Sequence, residues 1–80
     1  MKKQLYELAW PEGAMLGRII KTARKRRGLT QRQLGLMCGY SEESAELMVQ
    51  HWEHSRRDPP LCRIRALANA LNITLDQLIP

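Results

Sequence analysis

The segment that most constrains this chain is Leu29 to Trp52, LTQRQLGLMCGYSEESAELMVQHW. Thr30 followed by Gln33 forms a capping box, in which the hydroxyl accepts the Gln33 backbone N–H and the Gln33 side chain reaches back to residue 30. This predicts a helix that starts at Gln31. Leu34 and Met37, three apart, would share its inward face, and Gly39 offers the positive φ that ends a helix. Gly35 inside so short a helix costs about 1 kcal/mol relative to alanine. Its presence predicts that another helix crosses close to the backbone there. From about Ser44 the apolar residues Leu47, Met48 and Trp52 recur at helical spacing, with Val49 beside them, up to the breakers RRDPP.

The flanking sequence adds three more helical segments. A helix over Ala14 to Arg27 would bury Met15, Leu16, Ile19, Ile20 and Ala23 as one stripe and end at Gly28. Another, from Pro60 to about Leu71, would bury Leu61, Ile64, Leu67, Ala68 and Leu71. Thr74 and Gln77 form a second capping box, after which Leu75, Leu78 and Ile79 close the core. The fold class is therefore all-α with five helices, and eighty residues leave room for one domain. Residues 14–80 form that domain. Residues 1–13 form an N-terminal arm, in which Leu5, Leu8 and Trp10 dock on the core or Lys2 and Lys3 reach an anionic partner.

Charge narrows the partner. The formal net charge is +5 and the pI about 9.8, which favours an anionic surface. The seven basic residues between Ala14 and Ser41 meet no acidic residue in that stretch, whereas Glu42, Glu43, Glu46 and Glu53 crowd the segment that follows. Part of the run Arg24-Lys25-Arg26-Arg27 suits the negative end of a helix dipole. Four consecutive cations exceed what one helix end favours, so some of them are expected to meet phosphates.

At these residues the chain resembles the Xre-type helix-turn-helix family of phage repressors and Cro proteins. The likeness runs through TQRQL at Thr30 to Leu34, the small Gly35, the turn glycine Gly39, the pair Trp52-Glu53, Pro59, Leu61 and the tail RALANALNITLDQLI. Two departures stand out. About four residues more than the family's usual spacing separate Gly39 from Trp52, and Ser55 replaces the glycine commonly found after the aromatic-Glu pair.

The resemblance implies a five-helix, lambda-repressor-like DNA-binding domain whose third helix lies in the major groove. It also implies that Arg24 pairs with Glu53 as a structural bridge and that Gln31 occupies a phosphate-clamp position at the start of the second helix. Arg56 and Arg57 fall where the family's loop meets the DNA backbone, and the chain's end, with Leu78 and Ile79, falls where family members commonly dimerise. Arg32, Lys25 and Arg27 complete the phosphate candidates. Counting back from Trp52, the inward residues of the third helix are Val49 and Trp52, and the outward ones Glu46, Leu47, Gln50 and His51. Gln50 suits adenine, His51 guanine or a phosphate, and Leu47 a thymine methyl, while Glu46 needs a cytosine amino group or a helix-capping role. The helix begins after Ser44 or, one turn earlier, after Ser41, which would place Glu42 and Glu43 in its first turn.

The expected function is a sequence-specific, double-stranded DNA-binding transcriptional regulator, a repressor acting as a homodimer on a palindromic operator. Such a regulator can also activate by touching RNA polymerase; the alternative is an antitoxin or other protein-partner module on the same fold, binding a protein such as a toxin with DNA secondary. Membrane binding by Arg18 to Arg27 is disfavoured because the apolar face of that helix is needed in the core. The sequence suggests no enzyme, since it has no Gly-rich phosphate loop and no nucleophile or carboxylate relay around its histidines. No cofactor is expected. Zinc held by Cys38, Cys62, His51 and His54 would need cysteine spacing that is absent here, so both cysteines are expected as reduced core or boundary thiols. Lys2 and Lys3 are followed by Gln4 and Glu7 rather than an apolar run, which points to a cytoplasmic protein without a signal peptide.

Overall fold

The computed structural model describes residues 13–78; the expected arm over residues 1–13 lies outside them apart from Gly13, which starts the first helix. Five helices make up the described residues: α1 (Gly13–Arg26), α2 (Gln31–Met37), α3 (Ala45–Glu53), α4 (Leu61–Leu71) and α5 (Leu75–Leu78). The first ends one residue earlier than its sequence pattern suggests. Arg27 continues as a turn, its N–H donating to the Ala23 and Arg24 carbonyls.

The local signals act as their chemistry requires. Thr30 Oγ1 accepts from the Gln33 N–H at 3.0 Å, and Gln33 Oε1 accepts from the Thr30 N–H at 2.8 Å. Gly39 ends the α2 turn at φ 94°. The second box forms by half: Gln77 Oε1 accepts from the Thr74 N–H at 3.0 Å, while the Gln77 N–H goes to the Thr74 carbonyl.

The core is built where the short helices cross. Ile20, Leu34, Val49, Trp52, Leu67 and Leu78 are fully or almost fully buried, with Leu16, Leu29, Tyr40, Met48 and Ile73 packed around them. The close crossing expected at Gly35 is that of α2 with the start of α3. A Cβ on Gly35 would lie 2.6 Å from Ala45 Cα, so backbone rests on backbone and Ala45 is itself fully buried. A second such crossing joins α1 to the end of α3, where a Cβ on Gly17 would lie 2.7 Å from the Trp52 and Glu53 carbonyl oxygens. These two contacts fix α3 against α1 and α2 and leave its other face outward.

Several apolar residues face differently from their sequence pattern. Met37 is 48% exposed, because the inward stripe of α2 runs through Leu34, Gly35 and Cys38. Leu61 is 84% exposed at the first position of α4, where the buried stripe of that helix has not yet begun. Leu75 is also exposed, and only Leu78 of α5 seals the core. Cys62 is exposed rather than a core thiol; Cys38 is buried, and burial pushes its thiol up from 9.0 to about 11 against the opposing pull of Arg63. Arg63 also donates to the Cys38 carbonyl at 3.2 Å and lies 4.4 Å from the centre of the Tyr40 ring, which tilts against Trp52. These contacts tie α4 to the turn after α2.

Candidate nucleic-acid interface

The added residues between Gly39 and Trp52 form a turn that feeds into α3. The Ser41 carbonyl accepts from the N–H groups of both Ser44 and Ala45, and α3 begins at Ala45. Ser44 holds the N-cap position, yet its backbone is already right-handed helical and its hydroxyl caps no N–H. Capping hydroxyls work from an extended backbone; here the Ser44 and Ser41 hydroxyls instead bond each other at 3.1 Å. Glu42 and Glu43 are exposed on this turn, and Glu42 forms an ion pair with Arg32 of α2. This exposed ion pair joins the insertion to α2, and the burial of Ala45, Val49 and Trp52 sets the register of α3.

The opposite face carries Glu46, Leu47, Gln50 and His51. Glu46 and Leu47 are exposed, and Gln50 and His51 are half-buried. Spacings of one, three and four residues put all four on a single stripe. Leu47 is 51% exposed on a helix whose other apolar residues are all at least half-buried.

Beneath this stripe lies a chain of polar contacts. Arg24, at 8% exposure the one buried charged residue among those described, donates from Nε to Glu53 Oε2 at 2.6 Å and from Nη2 to Glu53 Oε1 at 3.2 Å. Its Nη1 donates to the Leu29 carbonyl at 2.9 Å. The basic run at the end of α1 therefore divides: Arg24 turns inward to bind Glu53 of α3 and the Leu29 carbonyl just before α2, while Lys25, Arg26 and Arg27 stay exposed. Glu53 also accepts from Gln31 Nε2 at 3.0 Å, Gln31 Oε1 accepts from Gln50 Nε2 at 3.4 Å, and Gln50 Nε2 donates to Glu46 Oε2 at 3.3 Å. The Gln31 amide is thus engaged by protein on both sides, which the sequence did not indicate.

Cations flank the stripe. A groove of about 480 Å³ beside the start of α2 is lined by Lys21, Arg24, Lys25, Gln31, Arg32 and Glu46. Beyond the other end of α3, the Arg56 and Arg57 N–H groups both turn back to the His51 carbonyl. This folds the exposed loop bearing their side chains over the C-terminus of α3. Ser55 in that loop adopts φ 59°, a left-handed conformation suited to the glycine it replaces. His54 Nδ1 lies 2.9 Å from the Gln50 carbonyl oxygen.

Two helices crossing at Gly35, the second presenting an outward polar stripe between basic edges, form a helix-turn-helix, and a family model described as Helix-turn-helix matches residues 20–78. The chain belongs to the Xre-type helix-turn-helix family. No characterised protein and no solved structure gave a significant match. This helix-turn-helix family is one of DNA-binding regulators and is not normally enzymatic. Among the described residues of this helix-turn-helix protein, no three metal-ligating side chains converge, and no helix is long and apolar enough to cross a membrane.

Proposed function

We propose that this helix-turn-helix protein is a sequence-specific regulator of transcription that lays α3 in the major groove of double-stranded DNA. The outward stripe of α3 carries this reading: an exposed leucine, a glutamine and a histidine stand on one helix face with basic residues at either end. Base edges in the major groove present distinct donors, acceptors and methyl groups, and side chains of these types discriminate among them. Phosphates give affinity and register without sequence information. Lys25, Arg27, Arg56 and Arg57, all exposed, supply those contacts. Arg32 joins them by exchanging Glu42 for a phosphate, and Gln31 does so through the second hydrogen of its Nε2.

A nine-residue recognition helix spans only a few base pairs, so a homodimer is the natural reading unit. It places two α3 helices about 34 Å apart on an approximately palindromic operator and represses by covering a promoter. Leu78, considered from sequence as an interface residue, is spent on its own chain's core at 2% exposure, and Ile79 lies outside the described residues. Exposed Leu75 supports an interface near that end of the molecule.

The test is binding to labelled duplexes from upstream of the protein's own gene and to scrambled duplexes, at two salt concentrations. A preference of about a thousandfold or more, kept at the higher salt, is expected. Binding that is equal on both and vanishes with salt would reduce the interface to a charged surface.

A further inference from the structure

We infer that Glu46 sets the base preference of Gln50, by holding its amide so that only the oxygen is left to read DNA. This rests on the proposed placement of α3 in the major groove. A carboxylate can only accept hydrogen bonds, so a glutamine amide beside it must turn its nitrogen toward it. The chain of contacts has a carboxylate at each end. Glu53, anchored by buried Arg24, takes the Gln31 nitrogen at 3.0 Å and leaves Gln31 Oε1 facing Gln50. That oxygen and Glu46 Oε2 both face Gln50 Nε2, at 3.4 and 3.3 Å. A glutamine nitrogen carries two hydrogens, and two acceptors take them both. Gln50 then has Oε1 left for the groove.

This changes what Gln50 reads. A free glutamine recognises adenine with both atoms, accepting from N6 and donating to N7. Held by Glu46 and Gln31, Gln50 accepts only. It pairs equally with the amino groups of adenine and cytosine and opposes guanine O6 and thymine O4, which are acceptors. Glu46 itself, already engaged by Gln50, has no need of a cytosine partner. Its place on this face is that of a positioning residue, one turn before Gln50 on the same helix.

The experiment selects bound duplexes from a randomised pool with the full chain, Glu46→Ala and Glu46→Gln. For the unaltered chain, one position in each half-site should accept adenine or cytosine about equally, over guanine and thymine by about tenfold. Glu46→Ala frees one N–H, and that position should narrow to adenine, disfavouring cytosine by about tenfold. Glu46→Gln removes the same charge but keeps an acceptor oxygen. It should retain the adenine-or-cytosine preference while binding all duplexes more tightly. If Glu46→Ala still selects sites but leaves this position unchanged, or if both variants shift it alike, the inference fails. If the unaltered chain selects no site at all, the DNA-reading proposal fails, and the inference with it.

Discussion

Glu53→Ala is expected to destabilise the fold by about 3 kcal/mol, the cost of leaving a buried charge without its partner. The Arg24 and Glu53 side chains retain only 10% and 2% of their exposure, so water cannot take the place of the lost carboxylate. In a domain of this size that loss lowers the melting temperature by roughly 12–24 °C, measurable by circular dichroism. The Arg32–Glu42 pair supplies the contrast. Its side chains are 50% and 67% exposed, and Glu42→Ala should change stability by less than about 0.5 kcal/mol. Equal effects from the two substitutions would contradict the view that Arg24 and Glu53 hold α1 and α3 together.

Gly35→Ala is expected to cost about 2–3 kcal/mol, although alanine is intrinsically the better helix former by about 1 kcal/mol. The added methyl would lie 2.6 Å from the Ala45 Cα and carbonyl carbon. Backbone atoms cannot rotate aside as a side chain can, so α2 and α3 must separate. Urea denaturation should show a lower midpoint with an unchanged slope. A midpoint equal to or above that of the unaltered chain would mean the helices do not cross at this glycine. Separation would also draw Gln31 away from Gln50, so DNA recognition should suffer beyond the loss of stability.

Features whose cause lies within a few residues were legible in the sequence. Thr30 and Gln33 announce a helix start because both halves of the box are local, and Gly35 announces a crossing because nothing else compensates glycine inside a short helix. Val49 and Trp52 face inward as their spacing requires. What failed was the reach of a helix face. A three-residue spacing from Leu34 does not by itself put Met37 on the buried stripe, and periodicity does not say where along α4 and α5 the buried stripe begins, so Met37, Leu61 and Leu75 are all exposed. Gly17 carries the same signal as Gly35, a glycine inside a helix, and it too marks a backbone crossing, that of α1 with the end of α3. Of the polar chain only the Arg24–Glu53 pair was legible, and that through the family resemblance. The rest joins Gln31 to residues nineteen and twenty-two positions away, and the carboxylate that orients the Gln31 amide is brought in by a different helix. The Arg63–Tyr40 contact escaped similarly, as it depends on how α4 meets the turn after α2.

In the proposed function the outward face of α3 reads bases while the loop after it grips phosphates. Binding of Gln50→Ala and Arg57→Ala, measured over a salt series on the selected site and on altered sites, tests it most directly. Gln50→Ala should lose about 1–3 kcal/mol on the selected site and relax preference at one base pair. Arg57→Ala should weaken all duplexes alike and reduce the salt slope by about one. An equal loss on every sequence for Gln50→Ala would contradict base reading by this face of α3.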